Sequence, residues 1–355
     1  MISSSLFLLT LFSTQFGLTI QKQYETPKTG DFFLQNPLSF DLDSKGRLFI
    51  VDGEAKVIFC WDSNGHFLRT IGKPGQGPGE FTFSGHGPAM GFINIIKDQL
   101  FVFDGIQRKL SIFDSDSKFL YAPNLNLQRS RALYFTALSE KQFMFLSRNL
   151  MDDHFVSVIK VIDEEGKDIS VLKEMKDDSI ILKGANGQQS RMSNMTFKAF
   201  NPELVMGYNC QTETTYIGFS GEPAIEVLAK DGSSKKLKMP LVQREVTELD
   251  KDEFLLARTG SRQRTPTFVF PEKMPFFQNI FSMGNGDVLV FNLSNFTREI
   301  DGIVMDPEGN VKGKIQTTLG EGGGFLNARG LLLKFALNED DEFEFALVSL
   351  RKKGA

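Results

Sequence analysis

Short apolar runs separated by turn residues recur along the chain. Leu48-Phe-Ile-Val-Asp52 is followed by Gly53, Val57-Ile-Phe-Cys-Trp61 by Asp62-Ser-Asn-Gly65, and Phe67-Leu-Arg-Thr-Ile71 by Gly72. Such runs, rich in β-branched and aromatic residues and bounded by Gly, Asp, Asn and Ser, predict short strands joined by tight turns. With Pro37-Leu-Ser-Phe-Asp-Leu42 ahead of them, they make a four-stranded unit.

The landmarks of this unit return together. Leu48 corresponds to Leu100, Asp52 to Asp104 and Asp62 to Asp114, each a shift of 52 positions. Later copies keep mainly the third strand and its turn, at Val161–Gly166, Val227–Gly232 and Val304–Gly309. A second strand precedes each of them, at Gln142–Leu146, Thr215–Phe219 and Asp287–Phe291. A sixth unit is short: Leu331–Ala336 and Phe343–Val348 flank Asn338-Glu-Asp-Asp341, and a segment near Gly17–Glu25 is free to supply its missing strand. One four-stranded sheet cannot bury both faces alone, so repeated sheets pack around an axis. The expected fold is therefore all-β: a six-bladed β-propeller with four-stranded antiparallel blades, closed by an N-terminal strand. A sandwich would not explain a turn copied at blade-like intervals.

The first unit resembles the NHL repeat, through Asp41-x-Asp-Ser-Lys-Gly46-Arg-Leu-Phe-Ile-Val-Asp52 and the linker Gly72-x-x-Gly-Gln-Gly77-Pro-Gly-Glu-Phe81. The resemblance is strong over residues 36–125. It implies a six-bladed propeller and no single function, because such propellers include protein-binding, RNA-binding, sugar-binding and catalytic members.

Composition narrows the partners. Net charge is −4 with both signs mixed along the chain, which gives no basic stripe for nucleic acid. The 35 Phe against 5 Tyr and 1 Trp suit flat interfaces between sheets, since Phe buries a large area without a polar atom to satisfy. The apolar run Leu6–Phe12 is too short to cross a bilayer and reads as the core of an export signal, although no Lys or Arg precedes it. Residues 1–20 are thus expected to be a signal peptide and 21–355 a single propeller domain with a longer insertion at 242–275. The protein is expected to be secreted or periplasmic, without a membrane span, and monomeric. Cys60 and Cys210 are too few for a disulfide framework and are expected to be buried thiols.

Familiar chemistry is absent from the sequence. His66, His86 and His154 lack metal-ligand spacing, and no nucleophile elbow, P-loop or dinucleotide fingerprint occurs. Asp52 and Asp104 hold equivalent places in two repeats, which marks them as turn residues rather than paired catalytic carboxylates. No catalytic residue, metal ligand or cofactor is assigned; six-bladed sugar lactonases hold calcium in the channel, and although none of their motif sequence occurs around the acidic residues here, calcium is left open. One pattern points to binding. Basic residues stand just before apolar strands at Arg131, Arg191, Arg262, Arg264 and Arg329, with His86 at the comparable place in the first linker. Gathered at the channel mouth, they would form a ring suited to carboxylate or phosphate. The expected function is an exported module that binds a protein or a small anionic ligand; the alternative is a metal-dependent hydrolase or lyase working in the channel.

Overall fold

The structure, a computed structural model, describes residues 14–27, 33–83, 91–125, 127, 131–151, 154–177, 180–182, 195–259, 267–293 and 299–353. Four consecutive antiparallel strands form each of the first five blades. Blade 1 is Pro37–Leu42, Leu48–Asp52, Val57–Trp61 and Phe67–Ile71; blade 2 spans Gly91–Tyr121, blade 3 Arg131–Asp177, blade 4 Leu204–Lys238 and blade 5 Asn279–Thr318. Blade 6 takes Gly324–Ala328, Leu331–Leu337 and Phe343–Lys352 from the end of the chain and Gln15–Gln23 from its beginning. The N-terminal strand runs antiparallel to Phe343–Lys352, with Phe16 opposite Lys352 and Ile20 opposite Val348. It also makes a short parallel ladder with the outer strand of blade 5, Gln15 to Lys314 and Phe16 to Ile315, so blades 5 and 6 share one eight-stranded sheet. Gln15–Ile20, counted above with the export segment, lie in this strand.

Ring closure is visible in the core. Six apolar clusters separate the blades, one at each of the six interfaces of a closed ring. The second strand of blade 1 shows how sequence makes this possible. All five of its residues are buried. Phe49 and Val51 face blade 2, and Leu48 and Ile50 face blade 6. The period of two is that of any strand, but both faces are apolar because both are covered. Phe fills these interfaces: Phe103 packs on Phe135 at 5.2 Å and Phe145 at 5.0 Å between blades 2 and 3. Trp61 lies in the cluster that closes the ring, 4.8 Å from Phe345 of blade 6.

The turns behave as the repeat predicts. Asp52 accepts N–H bonds from Glu54 and Ala55 in its own turn and from Gln35 and Asn36 in the entering linker, all at 2.7–2.9 Å. Asp104 does the same with Ile106, Gln107 and Thr82. In the outer turn, Asp62, Asp114 and Asp163 each accept backbone N–H bonds two and four residues ahead. Gly166 in the last of these has φ +78, and a Cβ there would lie 1.7 Å from the carbonyl oxygen of Leu125, so no other residue fits.

The insertion at 242–275 contains helix α1, Glu248–Thr259. Thr247 caps it by accepting the Asp250 N–H at 3.2 Å, and Arg244 grips the Asp250 carboxylate with two bonds of 2.6 and 2.7 Å. That hydrogen-bonded guanidinium holds the Asp250 carboxyl down to about 2. After α1, Thr267–Val269 pairs parallel to Met195–Lys198, which in turn pairs with Ile180–Leu182. The two long inter-blade connections, before blade 4 and before blade 5, therefore build a small sheet together.

Candidate functional site

The innermost strands differ from the rest. One side of each lines the channel, so they carry polar residues that bond to their neighbours. Ser39 Oγ accepts the Ile93 N–H at 3.0 Å and Asp41 Oδ2 the Ile95 N–H at 2.6 Å. Asn94 Oδ1 accepts the Ala137 N–H at 2.8 Å, Ser282 Oγ donates to the Tyr208 carbonyl at 2.8 Å, and Asn327 Nδ2 donates to the Ser282 carbonyl at 2.9 Å. Equal steps on both partners (39 to 41 against 93 to 95) mean that neighbouring inner strands run the same way. Strand starts thus gather at one end of the channel and strand ends at the other.

Arg329 dominates the end where inner strands finish. It sits with Gly330 in a two-residue hairpin after Gly324–Ala328, at φ +50 and +80 for the pair. Two successive positive φ values suit Asn-Gly, and a long side chain at the first position costs on the order of 1 kcal/mol. The turn directs the guanidinium away from its own blade. Its Nη1 donates to the Ile95 carbonyl of blade 2 and lies 3.9 Å from Asp41 of blade 1, while Nε–H donates to Cys210 Sγ of blade 4 at 3.3 Å. One side chain thereby links four blades. Beside it opens a pocket of about 120 Å3 lined by Asn94, Thr136, Tyr208, Cys210, Glu213 and Arg329. Burial pushes the Asp41 carboxyl up to about 7 despite the nearby Arg329 and the N–H bonds it accepts. Burial also raises the Tyr208 phenol to about 12 and lifts Tyr134 beyond its ordinary range. Both phenols stay protonated and the guanidinium stays charged, so the pocket presents the Arg329 cation, several neutral donors and one carboxylate, Glu213, which pairs with Lys230.

Of the six residues singled out from the sequence, the described residues include two. His86, Arg191, Arg262 and Arg264 lie outside them. Arg131 begins the inner strand of blade 3, whereas Arg329 follows the inner strand of blade 6, so the structure puts them at opposite ends of the channel. The inter-blade position read for Arg329 is corrected accordingly: Gly330-Leu-Leu-Leu opens the second strand of blade 6, not the first. Arg131 lies across from Arg148, which pairs with Asp177 at 2.5 Å and Glu203 at 3.0 Å. Cys60 is a buried free thiol, but Cys210 is half-exposed and lines the pocket. Asp41 was visible only as part of the repeat pattern, and nothing in the sequence marked Tyr208 or Cys210. Among the described residues no group of three His, Cys, Asp or Glu is placed to hold a metal ion, and no helix is long and apolar enough to cross a membrane.

Comparisons with known proteins agree on the architecture. A family model, DUF5128, described as a 6-bladed beta-propeller, matches residues 28–211. No curated protein matches the chain. A solved protein of Bacteroides fragilis NCTC 9343, assigned as exported, superposes with a TM-score of 0.58 at 13% identity, covering 94% of this chain and 96% of its own. A member of the DUF4221 family from Bacteroides vulgatus ATCC 8482 superposes with a TM-score of 0.55 at 12% identity, covering 95% and 99%. At these identities the likeness shows the fold alone.

Proposed function

The chain belongs to the DUF5128 family of six-bladed β-propellers, and from that premise we propose that it is an exported, NHL-like binding module whose channel end receives one acidic group of a larger partner. The observation that carries this reading is Arg329, held across the channel by groups from blades 1, 2 and 4 beside an open pocket. A pocket of about 120 Å3 is well below the size that encloses a whole small-molecule ligand, roughly 300 Å3 or more. It suits a single carboxylate presented by a protein or peptide. Arg offers a planar fork for that group, and Tyr208, Asn94 and Thr136 supply neutral hydrogen-bonding atoms around it. Asp41 strengthens the case, because a carboxyl raised to about 7 is largely protonated below that pH and leaves the guanidinium less compensated.

The test is calorimetric titration with a tri-glutamate peptide at pH 6 and pH 8. Binding should be tighter at pH 6 and should weaken about tenfold or more in Arg329→Gln, the scale of losing one charged hydrogen-bonding partner. Unchanged affinity in that variant would sink the channel-end reading. The double variant Arg191→Ala, Arg264→Ala tests the ring expected from the sequence by the same titration. Loss of binding there, with Arg329→Gln unaffected, would move the site to the inter-blade linkers.

A further inference from the structure

We propose a second site, on the outer rim where blades 5 and 6 join, that binds a phosphate group. A cleft of about 420 Å3 opens there between the N-terminal strand and the last strands of the chain. Four cations line it, Lys334, Arg351, Lys352 and Lys353, together with the hydroxyls of Thr19 and Thr317 and without an acidic side chain. This is a concentrated positive field on a protein whose net charge is −4.

The contrast with other surface lysines is what singles it out. Lys97, Lys141, Lys173 and Lys236 each pair with a glutamate at 2.7–3.2 Å. None of the four cleft cations makes an ion pair among the described residues. Like charges gathered on one sheet repel, so their clustering costs stability that a bound anion offsets. The fold also fixes them in place. The Lys353 N–H donates to the Gln15 carbonyl at 2.7 Å, and Arg351 stands opposite Gly17. A Cβ on Gly17 would lie 3.3 Å from Lys353 Cε, so the glycine leaves room for that stem to cross the N-terminal strand. An arginine fork, three ammonium groups and two hydroxyls match a phosphate with its several acceptor oxygens better than a single carboxylate. The cleft is open and shallow enough to take the group either from solution or from a lipid headgroup.

Pyrophosphate titrated calorimetrically, and sedimentation with phosphatidylglycerol against phosphatidylcholine vesicles, separate these sources. The full chain should bind at least one phosphate probe saturably, with affinity falling as salt rises. Lys334→Gln, Arg351→Gln, Lys352→Gln and Lys353→Gln combined should weaken binding tenfold or more. The control Lys97→Gln, Lys141→Gln, Lys173→Gln and Lys236→Gln removes the same charge elsewhere and should bind as the parent does, and unchanged Tm in both variants shows that the fold is intact. Pyrophosphate binding identifies a soluble phosphate, and binding only to phosphatidylglycerol vesicles a lipid headgroup. Binding of neither probe, or equal binding by the two quadruple variants, overturns the proposal.

Discussion

Blades 1 and 6 are neighbours with the same four-stranded ladder, yet they are assembled differently. Blade 1 is one uninterrupted run, Pro37–Ile71, whose strands pair with sequence neighbours. Blade 6 waits for a strand made some three hundred residues earlier. The first depends on local turns; the second depends on closing nearly the whole chain into a loop, an entropic cost that is met only when both ends are present. The two meet in one apolar cluster, where Tyr24 stacks on Phe345 at 5.8 Å and Trp61 Nε1 donates to the Glu25 carbonyl at 2.8 Å. Local repetition makes blades, and a distant strand makes the ring.

The largest effect should come from removing that strand. A chain starting at Tyr24 loses the outer strand of blade 6, and with it Phe16 and Leu18 from the cluster between blades 5 and 6. Burying one Phe contributes about 3–5 kcal/mol, and the exposed ladder adds to the loss, so stability should fall by more than about 5 kcal/mol. Trp61 is the sole tryptophan and lies at the closing interface, so its fluorescence reports the ring directly. In a chain starting at Gln15, fluorescence and circular dichroism should follow one urea transition. In the shorter chain the fluorescence change should come first. Coincident transitions in both would mean that closure does not depend on this strand.

A smaller effect should appear in the locally built blade. Asp52 is fully buried and accepts four backbone N–H bonds. Asp52→Ala leaves several buried donors unpaired at about 1–3 kcal/mol each, with partial relief from water, for a total of about 4 kcal/mol. Asn209, in the turn between the first and second strands of blade 4, shows what amide chemistry does where one of the facing groups is a carbonyl. Asn209 Oδ1 accepts the N–H groups of Gln211 and Thr212, and its Nδ2 donates to the Met283 carbonyl. In blade 1 the second oxygen faces two donors, so Asp52→Asn should still cost about 2 kcal/mol by urea unfolding. If Asn were tolerated as well as Asp, the linker bonds would be dispensable.

These two regions also explain what could be read in advance. The 52-residue shift exposed blades 1 and 2, because their middle strands are apolar on both faces and their turns reuse Asp52 and Asp104. The N-terminal closing strand followed from counting strands in the last unit. The inner strands were harder. Facing the channel, they mix polar and apolar residues: Gly324–Ala328 contains Asn327 and little that stands out, so Arg329 was assigned to the wrong connection. Blade 3 was legible only in part, since its three outer strands run ten residues each, beyond the copied pattern. The pocket around Arg329 draws on blades 2, 3, 4 and 6, with short pieces of the first three and one residue of the last, and no spacing in one chain announces such a gathering.

The smallest effect concerns the contact by which blade 6 reaches blade 1, Arg329 to Asp41. Asp41 titrates at about 7 in the folded protein, against about 4 for an exposed aspartate. Between these values the folded state holds a proton that the unfolded chain has released, so stability falls as pH rises through this window. For this group alone the loss from pH 6 to pH 8 should be about 1 kcal/mol. The groups acting on it are Arg329 and the N–H groups of Ile95 and Leu42, which favour the charged form, and Asp43, which opposes it. Removing the cation in Arg329→Gln should shift the midpoint upward, because the main favourable charge is lost. Asp41→Asn should flatten the slope, and one of its two N–H partners would then face an amide donor, which lowers stability equally at every pH. Urea unfolding followed by Trp61 across pH 5–9 measures both. A slope that persists in Asp41→Asn would assign the pH dependence to another group and leave the Arg329 contact without an electrostatic role in holding the ring's last blade to its first.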